Sequence, residues 1–101
     1  MATLLQVDFD FPGPFGEELS TMLEKLAESI NEEAGLIWKI WTENEKEKIA
    51  GGIYLFENKS TAQNYLDMHS ARLKEMGVED VRGHIFDVNG PLSSINKGPV
   101  F

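Results

Sequence analysis

The order in which two periodicities alternate along the chain is the tightest constraint on its fold. Residues 3–11, TLLQVDFDF, repeat every second position, with Leu5, Val7, Phe9 and Phe11 on one side and Leu4, Gln6, Asp8 and Asp10 on the other. That is the period of a strand. After the Pro/Gly segment FPGPFGEE, the apolar residues Phe15, Leu19, Met22, Leu23, Leu26 and Ile30 recur at helical spacing. The pattern predicts a helix opened by Pro14 at its first position, favoured by Glu17 and Glu18 near the positive end of its dipole, and stopped at Gly35. Residues 36–43 and 49–57 return to strand character on either side of the charged run ENEKEK, which reads as a hairpin connection. Ser60 to Gln63 has capping-box spacing, and Ala62, Leu66, His69, Leu73 and Met76 then line one face of a second helix ended by Gly77. Residues 79–88 form the last strand. The sum is βαββαβ with right-handed crossovers: an α+β, ferredoxin-like domain over residues 1–101, its four-stranded antiparallel sheet carrying both helices on one face.

Two helices cover one face of such a sheet and leave the other to water. This sequence carries large apolar side chains on both. Trp38 and Trp41 are an odd number of residues apart and point to opposite faces; Ile53 and Leu55 oppose Tyr54 and Phe56, and Val81 and Ile85 oppose Phe86 and Val88. A second cover is therefore expected, and a symmetric partner with the two sheets face to face is the simplest. The tail over residues 90–101, PLSSINKGPVF with the glycine before it, is too short for a further element and ends in Val100 and Phe101. It either contacts the partner subunit or stays unstructured.

A formal charge of −8, with 17 acidic against 9 basic residues and no basic cluster, argues against nucleic acid or an anionic membrane as partner. With no cysteine, thiolate metal sites, disulfides and a cysteine nucleophile are excluded, and a cytoplasmic location is expected. The N-terminus reads as neither a signal peptide nor a membrane span. Asp8, Asp10 and His84 match no dense metal-ligand motif, and no phosphate loop or nucleophile elbow is present, so no metal and no cofactor is expected.

His69 is the unusual member of its apolar stripe. It is either a buried imidazole satisfied by a carbonyl or a tyrosine, or a general base facing a pocket between helices and sheet. Arg72, one turn on, either holds an enolate or phenolate oxygen or is a solvated helix residue with a packed stem. Trp38, Trp41, Tyr54, Phe56 and Tyr65 offer flat apolar walls for a small aromatic ligand, or simply core. Gly51-Gly52 within the third strand reads as a bulge first and a close backbone approach second, and Glu43 as a hairpin charge without a role.

Taken together, GLIWKIWTENE, AGGIYLF, HSARLKEMGVEDV and FDVNGPLSSIN resemble the YdhR-type monooxygenases of the dimeric α+β barrel superfamily, almost end to end. The resemblance implies a homodimer of ferredoxin-like protomers. It also implies a cofactor-independent monooxygenase that uses molecular oxygen on a small phenolic or polycyclic aromatic compound. In that reading His69 assists phenol deprotonation, Arg72 holds the oxyanion, and Trp38, Trp41 and Tyr54 hold the ring. The superfamily's breadth keeps two other readings open: a non-catalytic dimer that binds a small molecule or a protein, and an isomerase or lyase of the same fold.

Overall fold

The computed structural model describes residues 2–100, and Phe101, the last residue of the expected tail contact, lies outside them. The chain runs β1 (Thr3–Asp10), α1 (Glu17–Met22), α2 (Glu24–Ile30), β2 (Leu36–Asn44), β3 (Ile49–Phe56), α3 (Lys59–Glu75), β4 (Arg82–Asp87) and α4 (Gly90–Ile95). Its four strands are antiparallel in the order β2-β3-β1-β4, the ferredoxin-like arrangement. No described helix is long and apolar enough to cross a membrane.

The strand register divides the sheet into two sets of side chains. Lys39, Tyr54, Leu5 and Ile85 form one row on the helix side, and Trp41, Gly52, Val7 and Gly83 the next. On the opposite face the rows are Trp38, Leu55, Leu4, Phe86 and then Ile40, Ile53, Gln6, His84. The core lies on the helix side, where Leu5, Val7, Phe9, Tyr54 and Phe56 pack against Ala62, Tyr65 and Leu73 of α3 and Ile30 of α2. These positions alternate in the strands and recur at helical spacing in α3, so the burial follows the periodicity.

Several local expectations are corrected. The first helix is two: hydrogen bonding stops and restarts at Leu23, and Pro14 lies outside. Gly16 takes the cap position with φ 65°, a left-handed conformation that a helix cannot incorporate, so the helix starts at Glu17. The cap of α3 is Asn58 and not Ser60; its side chain accepts from Thr61 N at 2.9 Å. β4 begins at Arg82 and not at residue 79, because Asp80 with φ 53° is not in a strand conformation. Gly51 and Gly52 sit in unbroken register, and the sheet's irregularity falls instead between Leu36 and Trp38. The close-approach reading holds there: a Cβ on Gly51 would strike the Val7 carbonyl and stand 2.8 Å from the Asp8 Cα.

The tail also differs from expectation. It forms α4, capped by Asn89, whose side chain accepts from Leu92 N at 3.1 Å. The chain leaves β4 at one sheet edge and reaches β2 at the other, where Trp38 Nε1 donates to the Pro99 carbonyl at 2.9 Å. The tail thus bonds to the sheet of its own chain through Trp38. Leu55, beside Trp38 on this face, is fully buried, whereas Ile40 and Phe86 are 53% and 48% exposed.

Gly51→Ala is expected to cost about 1–3 kcal/mol, as for overpacking against immovable backbone, lowering the thermal midpoint by roughly 4–8 °C per kcal/mol. At Gly90, where a Cβ meets nothing within 4 Å, alanine should stay within about 0.5 kcal/mol of the parent. Paired melting curves check the contrast.

Candidate active site

A cavity of about 150 Å³ opens between the helix side of the sheet and the α1–α2 arm. Phe9 and Val7 of β1, Ala50, Gly52 and Tyr54 of β3, and Lys39, Trp41 and Glu43 of β2 form its floor. Leu19, Met22, Leu23 and Leu26 cover it, and His69 and Leu73 of α3 close one wall. Glu43 has a role after all. Its carboxylate accepts from Gly16 N at 2.7 Å, pinning the start of α1 to the end of β2; the anion also satisfies a helix N-terminus whose cap has no side chain.

Of the residues singled out from sequence, Trp41, Tyr54 and His69 line the cavity. Tyr65 stands behind the lining, donating its hydroxyl hydrogen to Tyr54 Oη at 3.2 Å and stacking on the His69 ring with centroids 5.0 Å apart. Phe56 is core beneath Tyr54. Trp38 lies on the other face of the sheet. Arg72 does not line the cavity; its Nη2 and Nε approach His69 Nδ1 at 2.8 and 3.3 Å. A guanidinium only donates, so Nδ1 is an acceptor and the neutral ring carries its proton on Nε2. Burial first, then the positive charges of Arg72 and Lys39, bring the His69 pKa from 6.5 down to about 3. Burial likewise pushes both tyrosine hydroxyls up, so they stay protonated.

Lys39 is the residue that sequence reasoning missed. Its Nζ lies 3.2 Å from the Trp41 ring centroid and 4.6 Å from that of Tyr54. Its stem crosses Gly52, where a Cβ would come within 2.7 Å of Cε. The aromatic faces attract an ammonium, but at order 1–2 kcal/mol they are outweighed by burial and by the charge of Arg72, which bring the pKa from 10.5 to about 7. The available signal was IWKIW itself: strand alternation puts Lys39 on the same face as Trp41, so a lysine shares the face of a large aromatic. Asp8 and Asp10, on the opposite face, are engaged by Arg82, and no group of three potential metal ligands occurs among the described residues.

The family model described as putative mono-oxygenase ydhR matches residues 4–99. Among solved structures, SnoaB, a cofactor-independent oxygenase from Streptomyces nogalater, is 12% identical with a TM-score of 0.60, over 87% of this chain and 93% of that one. A putative antibiotic biosynthesis monooxygenase from Deinococcus radiodurans is 14% identical with a TM-score of 0.57, over 88% and 93%. A dimeric ferredoxin-like protein from an uncultured marine organism is 18% identical with a TM-score of 0.54, over 83% and 84%. At these identities the shared property is the fold. No curated protein matches the sequence.

The depressed Lys39 pKa carries a stability signature. Between about pH 7 and 10.5 the unfolded chain holds a proton on Lys39 that the folded chain does not, so stability rises with pH across that window. Lys39→Met should remove this rise and be the more stable protein below pH 7. Thermal midpoints of both proteins from pH 6 to 10 test it; parallel curves would mean an ordinary, solvated lysine.

Proposed function

This chain belongs to the putative mono-oxygenase ydhR family, and from that premise we propose that it is a cofactor-independent monooxygenase acting on a single-ring phenol or hydroquinone. The observation that carries the reading is the cavity itself: apolar, aromatic on two sides, and holding an imidazole that is uncharged near neutrality and an amine that loses its proton there. Its volume of about 150 Å³ equals that of an engineered apolar cavity that binds benzene. That size favours one ring over the polycyclic compounds that the sequence resemblance also admitted.

The reaction converts a phenol and molecular oxygen into a quinone and water, with the substrate supplying all the electrons. The phenolate gives up an electron to oxygen far more readily than the phenol, so the site must first take a proton. A His69 imidazole with a pKa of about 3 is a weak base for this, since a free phenol of the tyrosine type titrates near pH ~10. Lys39, with its pKa of about 7, is matched to the task. The ammonium then formed stays beside the phenolate and offsets its charge in a poorly solvated site. His69 donates from Nε2–H to the same oxygen, Arg72 acts as the positioning residue that holds the imidazole in that tautomer, and Trp41 and Tyr54 flank the ring. Trp38, Phe56 and Tyr65 support the site from outside it.

Oxygen uptake with a panel of single-ring hydroquinones and phenols should saturate and rise with pH through about 7, as Lys39 loses its proton. Lys39→Met should lower turnover roughly 10²- to 10⁴-fold, the usual worth of a positioned base, and His69→Gln should lower it less. Turnover that Lys39→Met leaves intact rejects the assignment.

We further propose that a second copy covers the open sheet face, an arrangement supported by the exposed Ile40 and Phe86 and by the dimeric ferredoxin-like relative. Sedimentation equilibrium should give a dimer for the parent and a folded monomer for Ile40→Glu. A monomeric parent, or a dimeric variant, would reject this face as the interface.

A further inference from the structure

Seven lysines occur in the sequence; the other six are exposed to solvent and Lys39 is not. Its amine is also the only one of them among the lining residues of the apolar cavity. No carboxylate holds it: among the described residues every ion pair belongs to Arg82. Glu43, four residues along on the same face, is occupied by the Gly16 N–H. From α3 the facing groups are Arg72, His69 and Tyr65, and from β3 Tyr54; one is a cation and the others are uncharged near neutrality. The stem is held in place by Gly52 beneath it and by Trp41 beside its tip. A primary amine fixed in an apolar pocket, flanked by aromatic rings and lacking an anionic partner, has the surroundings of a lysine that forms Schiff bases.

We infer that Lys39 is a nucleophilic amine that captures small aromatic aldehydes covalently as an imine. The Nζ lone pair forms a C–N bond to the carbonyl carbon, the two amine hydrogens leave with the carbonyl oxygen as water, and no oxidant or reductant takes part. The capture needs neither oxygen nor a phenolic hydroxyl, so it stands apart from the oxygenase reading. Its ligand class follows from the cavity: one aromatic ring bearing a carbonyl within reach of Nζ, with apolar side chains around the ring.

The test is reductive trapping of the intact protein, without oxygen and near neutral pH, with benzaldehyde and cyanoborohydride, followed by mass mapping of peptides over time. Each unit of pKa depression multiplies the unprotonated fraction about tenfold, so with its pKa brought from 10.5 to about 7 the Lys39 peptide should label on the order of 1,000-fold faster than each exposed lysine. Its rate should fall about tenfold per pH unit once pH drops below about 7. Benzene, filling the cavity, should slow labelling at Lys39 and leave the surface lysines untouched. A Lys39 peptide that stays unlabelled, or that labels at the pace of the exposed lysines, overturns the inference. Selective labelling in a protein that shows no oxygen uptake would retain it and discard the oxygenase.

Discussion

The irregularity between Leu36 and Trp38 is the constraint on which the site depends. Leu36 pairs with Phe56 and Trp38 with Leu55, so two steps along β2 match one along β3 and Ile37 is the extra residue. Because side chains in a strand alternate, one inserted residue exchanges the faces of everything that follows. Without it, Trp38, Ile40 and Thr42 would point under the helices. With it, Lys39, Trp41 and Glu43 do, and each then finds its place: the amine over Gly52, the indole against the amine, and the carboxylate on Gly16 N. Trp38 is correspondingly sent to the opposite face, where it anchors the tail through the Pro99 carbonyl.

The electrostatics of the cavity follow from that placement. Its titratable groups are an amine, an imidazole and a phenol, with the Arg72 guanidinium behind them and the single carboxylate already engaged. Burial disfavours every charged form, and a fixed cation on the α3 side disfavours further positive charge while leaving anions welcome. In the proposed reaction, an incoming neutral phenol would meet a site that can accept its proton and then hold its anion. The Tyr65–Tyr54 hydroxyl pair adds a satisfied polar layer beneath, with no buried side-chain nitrogen or oxygen among the described residues left unpartnered.

Reading the fold from sequence worked where a single period could decide. The alternation of Leu5, Val7 and Phe9 and the stripe of Ala62, Leu66, His69, Leu73 and Met76 are burial patterns before any packing is known; the strand residues, Ala62, His69 and Leu73 are buried as expected, Leu66 is half-buried, and Met76, past the end of α3, is exposed. It failed where a distant partner decided. The start of α1 is set by the Gly16 conformation and by a carboxylate 27 residues away, and the tail becomes ordered because Trp38 receives it. Arg72 carried no marker in sequence of whether it would face a ligand or a neighbouring side chain; its approach to His69 at 2.8 Å decides the matter.

The sequence by itself determined the order of the four strands and of the two helical regions between them, the antiparallel sheet with those helices on one side, and the presence of one tryptophan on each face, since these depend only on periodicity and parity. Which tryptophan, and with it which lysine, faces the cavity was decided by the tertiary structure alone. A bulge adds a residue without leaving a signature in composition or period, and only pairing with β3 shows where the strand has changed its parity. The low pKa of Lys39 has the same origin: a lysine is an ordinary charge until packing removes its water and brings Arg72 near.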